Sequence, residues 1–126
     1  MGRGMGTIKS HRDLRAWQFA YALGLRVVRA SATFPKHEMF ALALQLRRSA
    51  VSVPSNIAEG FGRGSRADYL RFLKIARGSL FEVDTQLHFA LDLGYLKPAG
   101  YESLHADWNE VSKILAGLIR RIESNA

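Results

Sequence analysis

The sequence lacks cysteine in all 126 residues, which excludes disulfides, thiolate nucleophiles and cysteine-ligated zinc or iron–sulfur sites. It also has no apolar run of the roughly 20 residues that a membrane span needs, and no apolar core of a secretory signal near its start. Alternating apolar and polar runs, which would indicate strands, are absent as well. We therefore expect an all-α protein of the reducing cytoplasm, with no membrane partner.

Positive charge is abundant, with 18 Lys and Arg against 11 Asp and Glu and a formal net charge of +7. Residues 1–63 hold ten basic and three acidic side chains, whereas residues 64–126 hold eight of each. The whole excess therefore lies in the first half of the sequence. Such asymmetry favours a polyanion partner, RNA or DNA, and a basic solubilising surface is the alternative.

Four segments repeat apolar residues every three or four positions, which predicts four amphipathic helices. We expect them over about His11 to Ala32, Lys36 to Gly62, Ser65 to Gly94 and Pro98 to Ile122. Four helices joined by short loops bury their apolar stripes most simply as an antiparallel up-down-up-down bundle. We therefore predict a flexible N-terminal arm at residues 1–10 and a single four-helix-bundle domain at residues 11–126.

The apolar stripes define the expected core of this bundle. In the first helix the predicted stripe is Leu14, Trp17, Tyr21, Leu25 and Val28. The stripes of the other three helices are Leu42, Leu46, Ala50, Val53, Ile57 and Phe61; then Tyr69, Leu73, Ala76, Leu80, Val83, Leu87 and Ala90; and last Tyr101, Leu104, Trp108, Val111, Leu115, Leu118 and Ile122.

Pro54 lies in the interior of the second predicted helix. A proline there removes one backbone hydrogen bond and costs roughly 3 kcal/mol. The apolar stripe nevertheless keeps its phase across the proline, from Leu46 and Ala50 to Ile57 and Phe61. We therefore predict one continuous helix that is kinked at Pro54, rather than two separate helices.

The opposite face of the second helix is polar but weakly charged. A solvated helix face is usually rich in Lys and Glu, whereas small hydroxyls and amides suit a surface that another helix approaches closely. We predict that this helix contacts a neighbouring helix or subunit, and a tolerated solvated face is the alternative. The predicted interface residues are Gln45, Arg47, Arg48, Ser52, Pro54, Asn56 and Glu59.

Several segments carry a family resemblance: HRDLRAWQFA, FPKHEMFALALQLRRSAVSVPSNIAEGFGR, DYLRFLKIARGSLFEVDTQL and GYL. Together they resemble the bacterial four-helix-bundle family called 23S rRNA-intervening sequence proteins, and the related accessory variability proteins of diversity-generating retroelements. The resemblance extends from about His11 to Ile122 and implies a homopentamer of four-helix bundles. In the retroelement branch it implies binding of nucleic acid and of a reverse transcriptase. Whether this chain has such a protein partner stays open.

Arginines at two places predict a nucleic-acid-binding surface. Arginine has a planar fork that suits phosphate oxygens, and the free amides at the start of the third helix would hold a phosphate as well. For each residue, pairing with an acid on a neighbouring helix is the alternative. The predicted binding residues are Arg12, Arg15, Arg26 and Arg29 on the first helix, and Arg63, Arg66, Arg71, Lys74 and Arg77 around the start of the third.

No set of residues predicts catalysis. The GFGRG segment at residues 60–64 follows a helix and lacks the Lys-Ser/Thr of a phosphate loop. Asp84, His88 and Asp92 share one helix face and could touch a metal, but this spacing is common on solvated faces. We therefore predict a non-enzymatic, self-assembling bundle that needs no cofactor or metal. It should bind mainly structured RNA, by contacts to the RNA backbone and with little sequence specificity. The alternative is a homo-oligomeric protein–protein interaction scaffold that binds no nucleic acid.

Overall fold

The computed structural model describes residues 7–125, and within that range it is built from helices without strands. The four long helices are α1 (Arg15–Ser31), α2 (Leu42–Arg63), α3 (Arg66–Asp92) and α4 (Pro98–Ser124). Short 3-10 turns at His11–Asp13 and Lys36–Glu38 precede α1 and α2. The all-α, four-helix prediction is confirmed. No helix in residues 7–125 is long and apolar enough to cross a membrane.

The helices form a ring in which α1 and α3 each pack against α2 and α4. Residues that meet across each helix pair run in opposite chain order, which makes neighbouring helices antiparallel. The pairs are Gly24 with Ala50 and Ser31 with Arg47 for α1 and α2; Ser52 with Ser79 and Gly60 with Phe72 for α2 and α3; and Arg66 with Ile122 and His88 with Tyr101 for α3 and α4. The topology is therefore up-down-up-down, as predicted.

Local signals set most helix ends where the sequence places them. Gly64 and Gly94 adopt φ values of 85° and 80°, a left-handed conformation that glycine adopts without a Cβ penalty. The Ser65 hydroxyl accepts from the amide of Asp68 at 3.1 Å and caps α3. Pro98 occupies the first turn of α4, where its missing amide costs nothing.

The predicted start of the second helix at Lys36 is wrong, because α2 begins at Leu42. The reason is a tertiary contact that the sequence does not show. Glu38 accepts hydrogen bonds from the amide of Leu42 at 3.3 Å and from the hydroxyl of Tyr95 at 2.7 Å. These two donors hold the pKa of Glu38 below its ordinary value. Glu38 thus ties the loop between α1 and α2 to the loop between α3 and α4.

The predicted buried stripe of the first helix is also wrong in large part. Tyr21 and Leu25 are 47% and 38% exposed, while α1 instead buries a face of mostly small residues: Ala16, Ala20, Leu23, Gly24, Val27 and Ser31. A Cβ on Gly24 would already lie 3.4 Å from the carbonyl oxygen of Ala50. The face of small residues is the one that is buried, because it lets α1 approach α2 closely. The larger apolar side chains are left outside. The central residues of the other three stripes are buried as predicted.

Pro54 is buried within α2, which runs unbroken from Leu42 to Arg63. One continuous helix is therefore confirmed, and the kink itself stays a prediction. The carbonyl oxygen of Ala50, which Pro54 cannot bond, faces Gly24 of α1. Nearby Ser49 donates to the carbonyl of Gln45 at 3.0 Å rather than to that oxygen.

Candidate nucleic-acid interface

The fold redistributes the positive charge along the bundle axis. The start of α1, the end of α2, the start of α3 and the end of α4 lie together, and we call this part, residues 7–22, 53–78 and 112–125, the basic half. It holds eleven Lys and Arg against four Asp and Glu. The opposite half, residues 23–52 and 79–111, holds six against seven. The charge excess of the described residues, which along the sequence lies in the first half, is therefore found at one end of the folded molecule.

Three of the predicted binding residues have partners on α4. Arg26 pairs with Asp107 and also bonds Ser103, which joins α1 to α4 in the opposite half. Arg66 donates to the last carbonyls of α4, at Ile122 and Glu123, each at 3.0 Å. Lys74 pairs with the carboxylate of Glu123 at 3.2 Å. These three side chains therefore pair within the bundle, which was the alternative to phosphate binding. Their contacts hold α4 against α1 and α3.

Three further arginines contact aromatic rings. Arg63 and Arg71 lie over the ring of Phe72, with guanidinium carbons 4.9 and 4.4 Å from its centroid. Arg63 also pairs with Glu59 at 3.0 Å. Arg15 lies 5.2 Å from the ring of Phe19. Stacking of this kind leaves the guanidinium edges open to solvent, so these arginines can still meet a phosphate.

The predicted phosphate position at the start of α3 already holds an acid. Asp68 lies in the first turn of α3 and its amide is capped by Ser65. Its carboxylate lies 3.8 Å from Arg71. A carboxylate in the first turn offsets the helix dipole and repels a phosphate, so this end of α3 is not the centre of an anion site.

The side chains of the remaining predicted residues, Arg12, Arg29 and Arg77, are exposed and make no ion pair or hydrogen bond of their own within residues 7–125. Arg12 and Arg77 lie in the basic half, whereas Arg29 lies in the opposite half. Four further basic side chains of the basic half were not predicted from the sequence, because they lie on the fourth helix or before the first, away from the two groups of arginines. These are Lys9, Lys113, Arg120 and Arg121.

Several residues of the predicted interface face of α2 form hydrogen bonds within the same chain. Ser52 shares a hydrogen bond of 2.8 Å with Ser79 of α3, and Asn56 donates to the hydroxyl and the carbonyl of Ser52 at 2.9 Å each. The structure thus explains the small polar residues by close contact between α2 and α3. On the same helix, Arg47 donates to Ser31 of α1, while Gln45, Arg48 and Glu59 are exposed.

Asn56 and Glu59 therefore differ in their expected effect on stability. Asn56→Ala should lower the free energy of unfolding by about 1 kcal/mol, because it removes hydrogen bonds at the partly buried contact between α2 and α3. Glu59→Ala removes one exposed i,i+4 ion pair and should change it by less than about 0.5 kcal/mol. Urea unfolding of the two variants measures the difference, and equal losses would contradict this assignment.

An apolar groove of about 340 Å³ lies between α1 and α2 on the outside of the bundle. It is formed by the large side chains that α1 leaves exposed and by the middle of α2 around Pro54. Its lining is almost entirely apolar, from Trp17, Tyr21, Leu25, Val28, Val51 and Pro54. Exposed contiguous apolar surface of this kind is typical of a protein contact.

A second and larger groove, of about 1270 Å³, lies in the basic half, where α1 and α4 face each other. We call it the α1–α4 groove. Its apolar walls include Phe61, Tyr69, Ile114 and Leu118, and the basic residues at its margin are Lys9, Arg15, Lys113 and Arg121. Burial raises the pKa of the Tyr69 hydroxyl, and the charge of Arg121 lowers it in part. The groove therefore combines apolar walls with a mostly basic margin.

The residues considered for a metal do not converge. His88 Nδ1 lies 3.1 Å from the hydroxyl of Tyr101, and Asp84 pairs with His105 across the α3–α4 contact at 3.4 Å. Among residues 7–125 no group of three or more His, Asp or Glu could hold a metal ion. These side chains instead join α3 to α4.

Comparison with known proteins agrees with this architecture. Among solved structures, the chain is similar to a protein of unknown function from the S23 ribosomal protein family of Bacteroides thetaiotaomicron VPI-5482. The TM-score is 0.77 and the identity 26%, over 83% of this chain and 95% of that one. No curated protein matches the chain.

The family model of the 23S rRNA-intervening sequence protein matches residues 12–117. Neither this description nor that of the similar structure names an enzyme. Neither links the chain to retroelement accessory proteins, so that part of the resemblance stays a prediction. Since the match covers most of the four-helix bundle, the chain belongs to the 23S rRNA-intervening sequence protein family.

Proposed function

We propose that this protein is a non-enzymatic, self-assembling four-helix bundle that binds structured RNA through the phosphates, using its basic half. The observation that carries the proposal is the charge distribution, with eleven basic and four acidic side chains in that half. Lys and Arg that neutralise phosphates release counterions, which drives association without base recognition. The family's description, which refers to 23S rRNA, favours RNA over DNA as the ligand.

The contacts inside the bundle support a specific set of phosphate-binding residues. Arg26, Arg66 and Lys74 are held by α4 and serve the fold. The exposed basic side chains of the basic half are available instead, because they have no ion pair or side-chain hydrogen bond within the described range. They are Lys9, Arg12, Arg77, Lys113, Arg120 and Arg121, and the stacked Arg15, Arg63 and Arg71 can join them.

A salt series tests the proposal. Fluorescence anisotropy should show that the protein binds a structured RNA and that log affinity falls linearly with log salt. If about six phosphates are contacted, affinity should drop on the order of 10³-fold between about 50 and 200 mM salt. A DNA duplex of matched length measures whether A-form shape matters. Absence of RNA binding at low salt would refute the proposal.

Self-assembly is part of the same proposal and rests on the apolar groove between α1 and α2. Tyr21, Leu25 and Val51 are 47%, 38% and 53% exposed there, and contact with a second copy would remove them from water. A pentamer, which the family resemblance implies, would repeat the basic half five times and add avidity. Native mass spectrometry measures the subunit number directly.

The same exposed apolar surface favours a second candidate function, a protein–protein interaction scaffold without nucleic-acid binding. Phe40, 91% exposed in the loop before α2, and Phe89 and Leu93 at the end of α3 add apolar surface in the opposite half. The two functions differ in the salt series, because a scaffold would assemble yet bind no RNA.

A further inference from the structure

We propose that the α1–α4 groove binds unpaired nucleotides of the RNA, with a base against its apolar walls and the adjoining phosphates at its basic margin. This inference rests on the proposed function and adds a position at which a base, and not only the backbone, contributes to binding. All residues that line the groove except Glu110 belong to the basic half, so a strand held there by its phosphates would already be close to it.

The shape of the groove favours a strand over an enclosed metabolite. Its volume is about 1270 Å³, whereas pockets that enclose a small molecule usually measure about 300–1,000 Å³. Within residues 7–125 it is also open to solvent along the contact between α1 and α4. An open groove of this size admits a nucleotide with its neighbours attached.

The walls of the groove offer a surface for a base. Tyr69 and Phe61 meet edge to face, with ring centroids 6.1 Å apart and planes at 80°. Ile114 and Leu118 of α4 continue the apolar surface. A base stacks on an aromatic ring with little regard for its identity, because every base has a π-face. The groove should therefore favour unpaired over paired nucleotides without reading sequence.

Charge at the margin complements the phosphates. Lys9, Arg15, Lys113 and Arg121 line the groove together with two acids, Asp13 and Glu110. The carboxylate of Asp13 accepts from the amides of Lys9 and Ser10 at 2.8 and 3.1 Å, so it is turned to the backbone. Those hydrogen bonds also lower the pKa of Asp13 and hold the N-terminal side of the groove in place.

Gly117 provides a way to fill the groove without changing its charge. It lines the groove from α4, and a Cβ added there would meet only the tip of Arg120, at 3.9 Å. Gly117→Leu should therefore fold and occupy the space that the base would take. Gly117→Ala is the matched control, because it adds one methyl group and leaves most of the groove open. Gly117→Gln fills the same space with a polar side chain, should the Leu variant fold poorly.

The experiment compares two fluorescent single-stranded RNAs of equal length and charge, one of which carries several abasic positions in its centre. The unmodified protein should bind the RNA with all its bases on the order of 10-fold more tightly. Gly117→Leu should reduce this ratio towards one and keep its affinity for the abasic RNA, while Gly117→Ala should retain the ratio.

Three outcomes would count against the inference or its foundation. An equal affinity of the unmodified protein for both RNAs would overturn the groove inference and leave phosphate binding intact. A ratio that survives in both Gly117→Leu and Gly117→Gln would place the base elsewhere and overturn it too. If neither single-stranded RNA binds at low salt, the groove inference fails, and the salt series with structured RNA decides separately whether the proposed function fails with it.

Discussion

Gly60→Ala should lower the stability of this protein, although glycine-to-alanine changes in helices usually raise it. Gly60 lies where α2 packs closely against α3. A Cβ there would lie 2.9 Å from Cβ of Phe72 and 3.1 Å from the carbonyl oxygen of Tyr69. Neither atom is the end of a flexible side chain, so the two helices would have to move apart. Overpacking of this kind typically costs about 1–3 kcal/mol, which exceeds the gain of about 1 kcal/mol from helix propensity.

The matched control lies two residues further along the same helix. A Cβ on Gly62 would meet no atom within 4 Å, so Gly62→Ala should leave stability unchanged or raise it by up to about 1 kcal/mol. Thermal unfolding measures the pair, and a loss of 2 kcal/mol corresponds to a drop in Tm of roughly 5–10 °C for a domain of this size. If both variants melt alike, the close approach of α2 and α3 is not needed for the fold. Gly60→Leu should enlarge the loss, since more atoms must be accommodated.

The helices themselves could be predicted because their signals are local. Regular apolar spacing marks α2, α3 and α4, and Ser65, Gly94 and Pro98 mark helix ends through their own backbone chemistry. The start of α2 could not be predicted, because Glu38 is fixed by the hydroxyl of Tyr95, a residue far away in the sequence. Periodicity within one helix carries no information about such a partner.

The error in α1 has a related cause. Two faces of α1 are apolar, and hydrophobicity alone favours burial of the face with Trp17, Tyr21 and Leu25. The bundle instead buries Ala20 and Gly24, because the gain from close packing depends on the shape of α2, which the sequence of α1 does not contain. The larger side chains are left outside, where they form the apolar groove. Residues of the proposed assembly surface were therefore predicted to lie in the core.

Only part of the candidate binding surface could be predicted, because the partners of each arginine depend on the fold. Residue type identified arginine as a phosphate ligand, but only the fold shows which arginines have acids or carbonyls beside them. Arg26 and Arg66 are taken by α4, whereas Arg120 and Arg121, on a charge-balanced stretch of sequence, lie in the basic half. The distribution of charge along the sequence thus differs from its distribution along the bundle axis. A polyanion encounters only the distribution of the folded molecule.

Reversing charge at two exposed arginines of the basic half should cause the largest loss of RNA binding. Arg12→Glu combined with Arg120→Glu changes residues that have no ion pair within the described range, so no bridge inside the bundle is broken. Affinity for structured RNA should fall on the order of tenfold or more, and the slope of log affinity against log salt should flatten by about two. Circular dichroism and native mass should stay unchanged, because both side chains are exposed. Arg71→Glu with Lys74→Glu is a poorer choice, since those residues pair with Asp68 and Glu123.

The control for this experiment changes the charge by the same amount in the opposite half. Arg29→Glu with Lys36→Glu also replaces two exposed basic side chains that have no ion pair within residues 7–125. If the basic half binds RNA, this variant should keep most of the affinity and the salt slope, because its reversed charges lie away from the contacted phosphates and are screened over about 10 Å at 0.1 M salt. Equal losses in the two double variants would mean that net charge alone attracts RNA. In that case the separation of charge along the bundle would not define a binding surface.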